Sequence, residues 1–516
     1  MKLIKTGAIA ATAMGAALPA YAQEALTLDQ RVNAVFADFT GPFVSLIFAP
    51  LPGTSFPWIV LWLVVAASIF TIYFSVVQLR YFGHAISLVK GDYSDPDDAG
   101  EVSHFQALAT ALSGTVGLGN IAGVAVAVGI GGPGATFWMI LAGLLGMASK
   151  FTECTLGVKY RNEYPDGTVS GGPMYYMKKG FQERGLPGGG LLAILFSIFC
   201  ILGALGGGNM FQANQAHAQI TQITGDYPGW ITGIIFAAVV FAVIVGGIKS
   251  IAKVTEKIVP FMGILYVGAA LIILIVNYDQ IGWAFGQIFA GAFTGLGVAG
   301  GFVGALIQGF KRAAFSNEAG VGSAAIAHSA VRTKEPITEG FVSLLEPLID
   351  TVVICTMTAL VITISGQLIF DEATGLYVLN EAGSAIATVG GTGGVALTSA
   401  AFGSSISWFP FVLAIAVVLF AFSTMISWSY YGLKAWTYLF GEGKASELTF
   451  KVIFCIFIVI GAAASLGPVI DFSDAAIFAM AVVNITALYF LMSIVREELK
   501  SYTARLKSGE IKKFAH

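Results

Sequence analysis

Charge is scarce in this chain of 516 residues. Only 11% are Asp, Glu, Lys or Arg, less than half of the roughly 25% usual in soluble domains, while 56% are hydrophobic. That balance excludes a soluble globular protein and predicts a polytopic membrane protein whose surroundings are the lipid bilayer. Cysteine is also sparse. Cys154, Cys200, Cys355 and Cys455 fall within or at the end of apolar segments without metal-ligand spacing, so neither a disulfide nor a metal site is expected and all four read as small packing residues. There is no HExxH run, no Ser/His constellation, no paired catalytic acid set and no polar catalytic domain. The chain therefore does not read as an enzyme, and no nucleic-acid partner is expected.

What is present begins with a secretory signal. Lys2 and Lys5 lead an apolar run from Gly7 to Leu18, and Ala20-Tyr21-Ala22 forms an A-x-A cleavage pattern, so residues 1–22 are expected to be a signal peptide. Residues 23–55 carry Val32, Val35, Phe36 and Phe39 before a loop rich in proline and glycine, which suits an amphipathic helix at the outer membrane face. Eleven spans are then expected, at 56–79, 105–130, 133–152, 190–222, 229–248, 258–277, 290–310, 340–364, 406–433, 452–468 and 475–495. A cleaved signal and eleven crossings put the mature N-terminus outside and the C-terminal tail, 496–516, in the cytoplasm.

The basic residues agree with that orientation. Of 27 Lys and Arg, two belong to the signal; among the rest only Arg31 falls in an expected outer segment, the others occupying inner loops, inner span ends or the tail, Lys311 and Arg312 among them. The expected location is a bacterial inner membrane. By contrast, the outer segment 366–405 has no Lys or Arg, and a loop of that length is often a lid or gate. With the span at 56–79 set aside as an extra helix, ten spans remain in two halves of five, 105–277 and 290–495, each opening on a glycine-rich helix. An odd number of spans per half forces opposite topologies, the pattern of an inverted repeat.

Ser113 to Asn120, SGTVGLGN, interrupts the apolar segment 105–130. Gly114, Gly117 and Gly119 disfavour continuous helix by about 1 kcal/mol each relative to alanine, and Ser113, Thr115 and Asn120 supply side-chain oxygens. Open backbone at membrane depth is tolerated only where it is buried in protein or lines a cavity, so a break here predicts a polar site for solute and ion. The second break is expected around Ala299-Gly300-Gly301-Phe302-Val303-Gly304.

Several blocks carry a resemblance: ALSGTVGLGNIAGVA from Ala111, SGGPMYYMKKG from Ser170, GNMFQANQ from Gly208, FSNEAGVGSAAIAHSA from Phe315 and FSTMISWSYYG from Phe422. With these, the chain resembles the alanine or glycine:cation symporter family, the sodium:alanine symporters, over nearly everything after residue 56. The resemblance implies an all-α, leucine-transporter-like (LeuT) fold of five plus five inverted helices with one extra N-terminal helix. It implies a sodium-coupled symporter of small neutral amino acids, alanine or glycine, working by alternating access; the alternatives are a proton-coupled carrier of a related neutral amino acid and a solute channel.

An amino-acid carboxylate is costly to bury unpaired. The free N–H groups of a broken helix near Gly117 to Asn120 would bind it without arginine, Gly117 and Gly119 allowing close approach and Thr115 and Asn120 adding contacts, or Asn120 serving the cation. By resemblance, the carbonyls of Ser113 and Val116 with Ser423 and Thr424 match one sodium site; the competing role for the two hydroxyls is back-bonding to their own helix. For the ammonium group, Gln212 is the leading acceptor, its alternative being a helix–helix hydrogen bond, with carbonyls around Gly300, Gly301 and Gly304 beside it. Trp428, four residues after Thr424 on one helical face, either walls the side-chain pocket or simply packs. Glu346 and Asp350 are candidates for proton coupling, or pair structurally with an inner-loop cation. Glu153 reads as a boundary ion pair with Lys150 and Arg161, Glu318 as an inner-gate or capping residue, and His217 as a packing histidine.

Overall fold

A computed structural model describes residues 38, 40–95, 97–294, 301–371, 376–378 and 393–513. The signal segment, the apolar positions Val32, Val35, Phe36 and Phe39, and Gly300 lie outside the described residues.

The chain is mostly helical. Helix α1, Trp58–Tyr73, is closed where Ser75 and Val76 take left-handed backbone angles of 53° and 56°, so it is shorter than the expected span 56–79. Helix α2, His104–Thr115, opens on a capping box in which the Ser103 hydroxyl accepts from the Gln106 amide and the Gln106 side chain accepts from the Ser103 amide, satisfying two otherwise orphaned donors. After the π-helical turn Gly119–Gly123 comes α3, Val124–Gly131, and the two parts of this span are bent by 49°. The glycines do here what the sequence requires of them.

Helix α4, Gly134–Lys159, is followed by α5, Pro173–Glu183. Next are α6, Gly189–Leu205, and α7, Phe211–Thr224, joined through the π-helical turn Gly206–Met210. Helices α8, Gly229–Ile244, α9, Gly247–Val276, and α10, Tyr278–Thr294, follow. Next come α11, Gly301–Asn317, α12, Ser323–His328, and α13, Pro336–Ser343, the last leading through a π-helical stretch, Leu348–Cys355, into α14, Thr356–Ile364. Last are α15, Val395–Ser405, α16, Phe409–Phe440, α17, Lys444–Ala463, and α18, Leu466–Ser508.

Among the described residues seven helices are long and apolar enough to cross a membrane, or eight if the bent pair α2–α3 counts as one span. Helices α1 and α8, at 16 residues each, are apolar but shorter, and reach roughly 24 Å at 1.5 Å per residue. Their lipid-facing sides are apolar too, with Leu61, Val65, Ile69 and Ile72 exposed on α1. Helices α2, α4, α12 and α16, in contrast, bury nearly all of their central residues, polar ones included, and α11 does so in its last six residues.

The expected second break falls partly on residues 299–300, which lie outside the described residues. Residues 301–304 do not interrupt a helix; Gly301 opens α11, which then runs unbroken to Asn317. The described break lies further on, where Glu318, Gly320 and Gly322 take backbone φ of 55°, 82° and 93°. Two of the three are glycines, for which left-handed backbone costs nothing. Lys311 and Arg312 consequently stand within α11, before the break, on the opposite side of it from His328 and Lys334. Lys311 lies over the Phe48 ring, and both cations pair with Asp474 near the start of α18. They are not loop or span-end residues.

Candidate functional site

The two breaks meet at the centre of the bundle, and the long helix α16 crosses beside the first. Thr424 Oγ1 donates to the Ser113 carbonyl at 3.0 Å, while Ser113 Oγ donates to the Ser423 carbonyl at 2.7 Å. Ser427 Oγ lies 3.0 Å from both Ser113 Oγ and the Thr110 carbonyl. All of these groups are buried. At Val116 the backbone leaves helical geometry, ψ 83°, which turns its carbonyl out of the helical ladder. Ser113, Ser423 and Thr424 are thus brought together, in a set of neutral oxygens of the kind a hard cation takes, with Val116 adjoining Gly117, where a Cβ would touch Thr424 Oγ1. Ser423 Oγ itself donates back to the Phe420 carbonyl at 3.0 Å, the back-bonding role, so its carbonyl rather than its hydroxyl faces Ser113.

The free amides of the first break are held by side chains. Gly117 N–H donates to Asn120 Oδ1 at 2.9 Å and Leu118 N–H to Gln212 Oε1 at 3.1 Å, while Gln212 Nε2 donates to the Gly207 carbonyl at 2.8 Å. Backbone approach is close: a Cβ on Gly117 would lie 2.4 Å from Thr424 Oγ1, and one on Gly119 3.4 Å from Phe315 and Ser316. Thr115 Oγ1 turns back to the Ala111 carbonyl at 3.3 Å, away from the break. Gly301 and Gly304 are partly exposed in the opening turns of α11, well before the break at Glu318.

Trp428 fills the space opposite. Its indole is buried and covers Gly208, where a Cβ would fall 2.2 Å from Trp428 Cγ, and its N–H donates to Glu318 Oε1 at 2.9 Å. Glu318 also accepts from the Ser323 hydroxyl. It sits in the second break beside the tryptophan, not after a run of inner cations. Phe315 completes this wall, edge-on to Phe211 at 5.1 Å.

Two site groups were only partly legible in the sequence. Asp350 accepts from Asn120 Nδ2 at 2.6 Å, Ser316 Oγ at 2.8 Å and Thr351 Oγ1 at 2.7 Å, so it ties both breaks to the π-helical stretch. Glu346 has the structural cation foreseen for it, but from the buried α4 residue Lys150, 3.1 Å away, and from His328 Nε2 at 2.6 Å. Glu153 does pair with Lys150, at 4.0 Å, but fully buried rather than at a boundary, and Arg161 bonds Glu163 instead, at 2.9 Å. His217 packs as expected, with Nδ1 3.0 Å from the Thr232 hydroxyl.

The sodium:alanine symporter family model matches residues 44–516. The chain belongs to this family. Symporters similar to it include the sodium/alanine symporter AgcS of Methanococcus maripaludis, 40% identical over 474 residues that make up 91% of this chain and 99% of that one. A probable sodium/glutamine symporter of Bacillus subtilis, GlnT, is 34% identical over 444 residues, 86% of this chain and 87% of its own. Among solved structures, MhsT, crystallised with L-phenylalanine, covers 78% of the symporter described here and 99% of its own chain, with a TM-score of 0.50 and 16% identity; the likeness supports a LeuT fold. The family is one of transporters, so this protein is a membrane symporter and not an enzyme, and cation-coupled amino-acid symport is its coarse function.

Proposed function

We propose that the protein imports a small neutral amino acid, alanine or glycine, together with sodium across the bacterial inner membrane by alternating access. Its mature N-terminus lies outside, its C-terminus lies in the cytoplasm, and the halves 105–277 and 290–495 are inverted repeats. The observation that carries this reading is the junction of the first break with α16, where the Ser113 carbonyl and Thr424 hydroxyl stand 3.0 Å apart beside amides held only by side-chain oxygens.

Sodium sits among the carbonyls of Ser113 and Val116 and the oxygens of Ser423 and Thr424. Its entry breaks the hydrogen bond from Thr424 to the Ser113 carbonyl, and the hydroxyl, keeping its proton but rotating it away, turns a lone pair to the ion. The carboxylate of the amino acid takes the amides of Gly117, Leu118 and Gly119. Asn120 Oδ1 and Gln212 Oε1 hold two of these in its absence and swing away when it arrives, so the break never carries unsatisfied donors. A bound sodium beside the carboxylate offsets its charge, which is the physical origin of coupling: each ion makes the other cheaper to bury.

The ammonium group faces the acceptors left at the second break, with Gln212 and Glu318 beside it. The bulky faces of Trp428 and Phe315 over the Gly208 and Gly119 backbones leave room for a small side chain only. The test is uptake of labelled L-alanine into proteoliposomes under an inward sodium gradient, against a potassium control and a proton gradient. Accumulation with sodium alone supports the reading. Uptake that follows protons instead assigns coupling to Asp350, whose buried carboxylate has only neutral hydrogen-bond donors around it, and an absence of alanine uptake removes the substrate assignment.

A further inference from the structure

A chain of buried titratable groups runs along the side of the second break and plays no part in the ion and substrate positions above. His104 Nδ1 bonds Glu339 Oε1, Glu339 Oε2 bonds His328 Nδ1, His328 Nε2 lies 2.6 Å from Glu346 Oε1, and Glu346 Oε2 accepts from Lys150 Nζ at 3.1 Å. Beyond Lys150 comes Glu153, whose Oε1 stands 4.0 Å from the ammonium. Every one of these side chains is buried, none more than 2% exposed.

The hydrogen-bond pattern restricts where protons can be. Both nitrogens of His328 face carboxylate oxygens, and an oxygen that is ionised accepts only, so His328 between two carboxylates is an imidazolium. That also leaves it no lone pair for a metal, although Cys154, His328 and Glu346 are close enough together to form a ligand trio. Two cations, His328 and Lys150, then face three carboxylates, Glu339, Glu346 and Glu153. His104 donates or accepts at Glu339 through Nδ1 only, and two groups have room for a further proton, since His104 Nε2 and Glu153 Oε1 both lack a hydrogen-bond partner among the described residues. Nothing else nearby restores the balance: Cys154 is a thiol, Glu318 at the break adds a further acid, and Asn484 and Tyr176 are neutral. A dry interior does not hold an uncompensated carboxylate cheaply.

Of these two groups, Glu153 is the one that reaches the second break. Glu153 Oε1 has no hydrogen-bond partner among the described residues, whereas Oε2 accepts from Asn484 Nδ2 at 3.0 Å. The same Asn484 amide donates to the Gly320 carbonyl at 2.9 Å, inside the second break, and its oxygen accepts from Tyr176. Glu153 is therefore one side chain away from backbone that must move if the broken helix moves. We propose that Glu153 is a proton-binding site, protonated in the state described here, and that its proton is exchanged with water when the second break rearranges around bound sodium and amino acid. The protonation itself is independent of the transport reading; its linkage to sodium and alanine rests on that reading.

Infrared difference spectroscopy of the full-length protein in lipid vesicles tests this directly. Spectra are recorded as pH is taken from about 5 to about 9, a range that brackets unperturbed carboxylate and imidazole groups. The wild type is expected to show the carbonyl stretch of a buried protonated carboxylic acid. Glu153→Gln should remove it, and Asn484→Ala, which keeps the carboxyl but takes away its donor, should shift it. Glu498→Gln, at a half-exposed ion pair with Lys159, should leave it unchanged. A wild-type spectrum without the band at any pH overturns the proposal, as does a band that persists unaltered in Glu153→Gln or, should that variant fail to fold, in Asn484→Ala. Addition of sodium with L-alanine should change the band's intensity at fixed pH, and in vesicles that demonstrably accumulate alanine an indifferent band overturns the linkage. If no alanine is transported while the band is present and sensitive to both substitutions, the proton site stands and the substrate assignment fails.

Discussion

Thr424 and Ser113, separated by 311 positions in the chain, are joined by a 3.0 Å hydrogen bond from the threonine hydroxyl to the serine carbonyl. The contact exists only because α2 ends where it does. Were the helix to continue, the carbonyl of Ser113 would be directed along the helix axis toward its own ladder, and α16 would cross a closed surface.

Thr424→Ala should therefore weaken sodium activation more than it affects folding. We expect the sodium concentration for half-maximal alanine uptake to rise about tenfold, equivalent to ~1.4 kcal/mol, with a stability loss of about 1 kcal/mol for one neutral hydrogen bond. Sodium titrations of uptake and a thermal unfolding curve check the two halves separately. Unaltered sodium activation would remove Thr424 from the ion site.

Gly119→Leu should abolish alanine binding to the purified protein. A Cβ alone would already rest 3.4 Å from Phe315 and Ser316, so the rest of a leucine side chain must occupy the approach to the break or displace Phe315. Equilibrium binding of labelled alanine reads this, and Gly119→Ala is expected to lose affinity to a smaller degree. Wild-type affinity in the leucine variant would sink the proposed carboxylate position.

Gly208→Ala should move Trp428, since the new methyl would lie 2.2 Å from Trp428 Cγ. Overpacking of this kind costs about 1–3 kcal/mol, to be seen as a lower unfolding temperature. Combining it with Trp428→Leu should restore part of that stability and admit larger amino acids as competitors. If serine and leucine compete no better against the double variant than against the wild type, Trp428 does not bound the substrate pocket.

Asp474→Asn should be among the most damaging single changes outside the breaks. Asp474 is buried and answers both Arg312 and Lys311, the latter at 2.9 Å. Removing one partner of a buried pair costs about 3–5 kcal/mol, much of it from the charge left behind. Arg312→Met together with Asp474→Leu should recover folding that Asp474→Asn loses, read as the yield of monodisperse protein and its unfolding temperature; a double variant no more stable than the single one would contradict the pairing.

The first break was legible because its signal is local. Three glycines and an Asn within eight residues of an apolar segment leave few alternatives to an opened helix, and the structure bends there by 49°. The break described at Glu318 to Gly322 was not singled out, because the eye goes to the densest local glycine run. Gly300, Gly301 and Gly304 form the denser glycine run, yet glycine permits a break without requiring one. The described break falls at Asn317 to Gly322, where Gly320 and Gly322 adopt positive φ and a non-glycine, Glu318, joins them at 55°. In the sequence, the pair Gly320 and Gly322 flanking Val321 echoes Gly117 and Gly119 flanking Leu118, and that spacing was the better signal.

Composition and periodicity by themselves determined that this chain is a helical membrane protein, and its long motif blocks determined the family. Those properties are sums over many residues or strings of adjacent ones, so they survive without coordinates. Only the tertiary structure decided which distant polar groups meet: Thr424 with Ser113, Asn120 with Asp350, Trp428 with Glu318, and Glu346 with the buried Lys150 rather than with an inner-loop cation. Buried polar groups must find partners wherever the fold brings them, and with partners up to several hundred residues away, no local pattern encodes the choice.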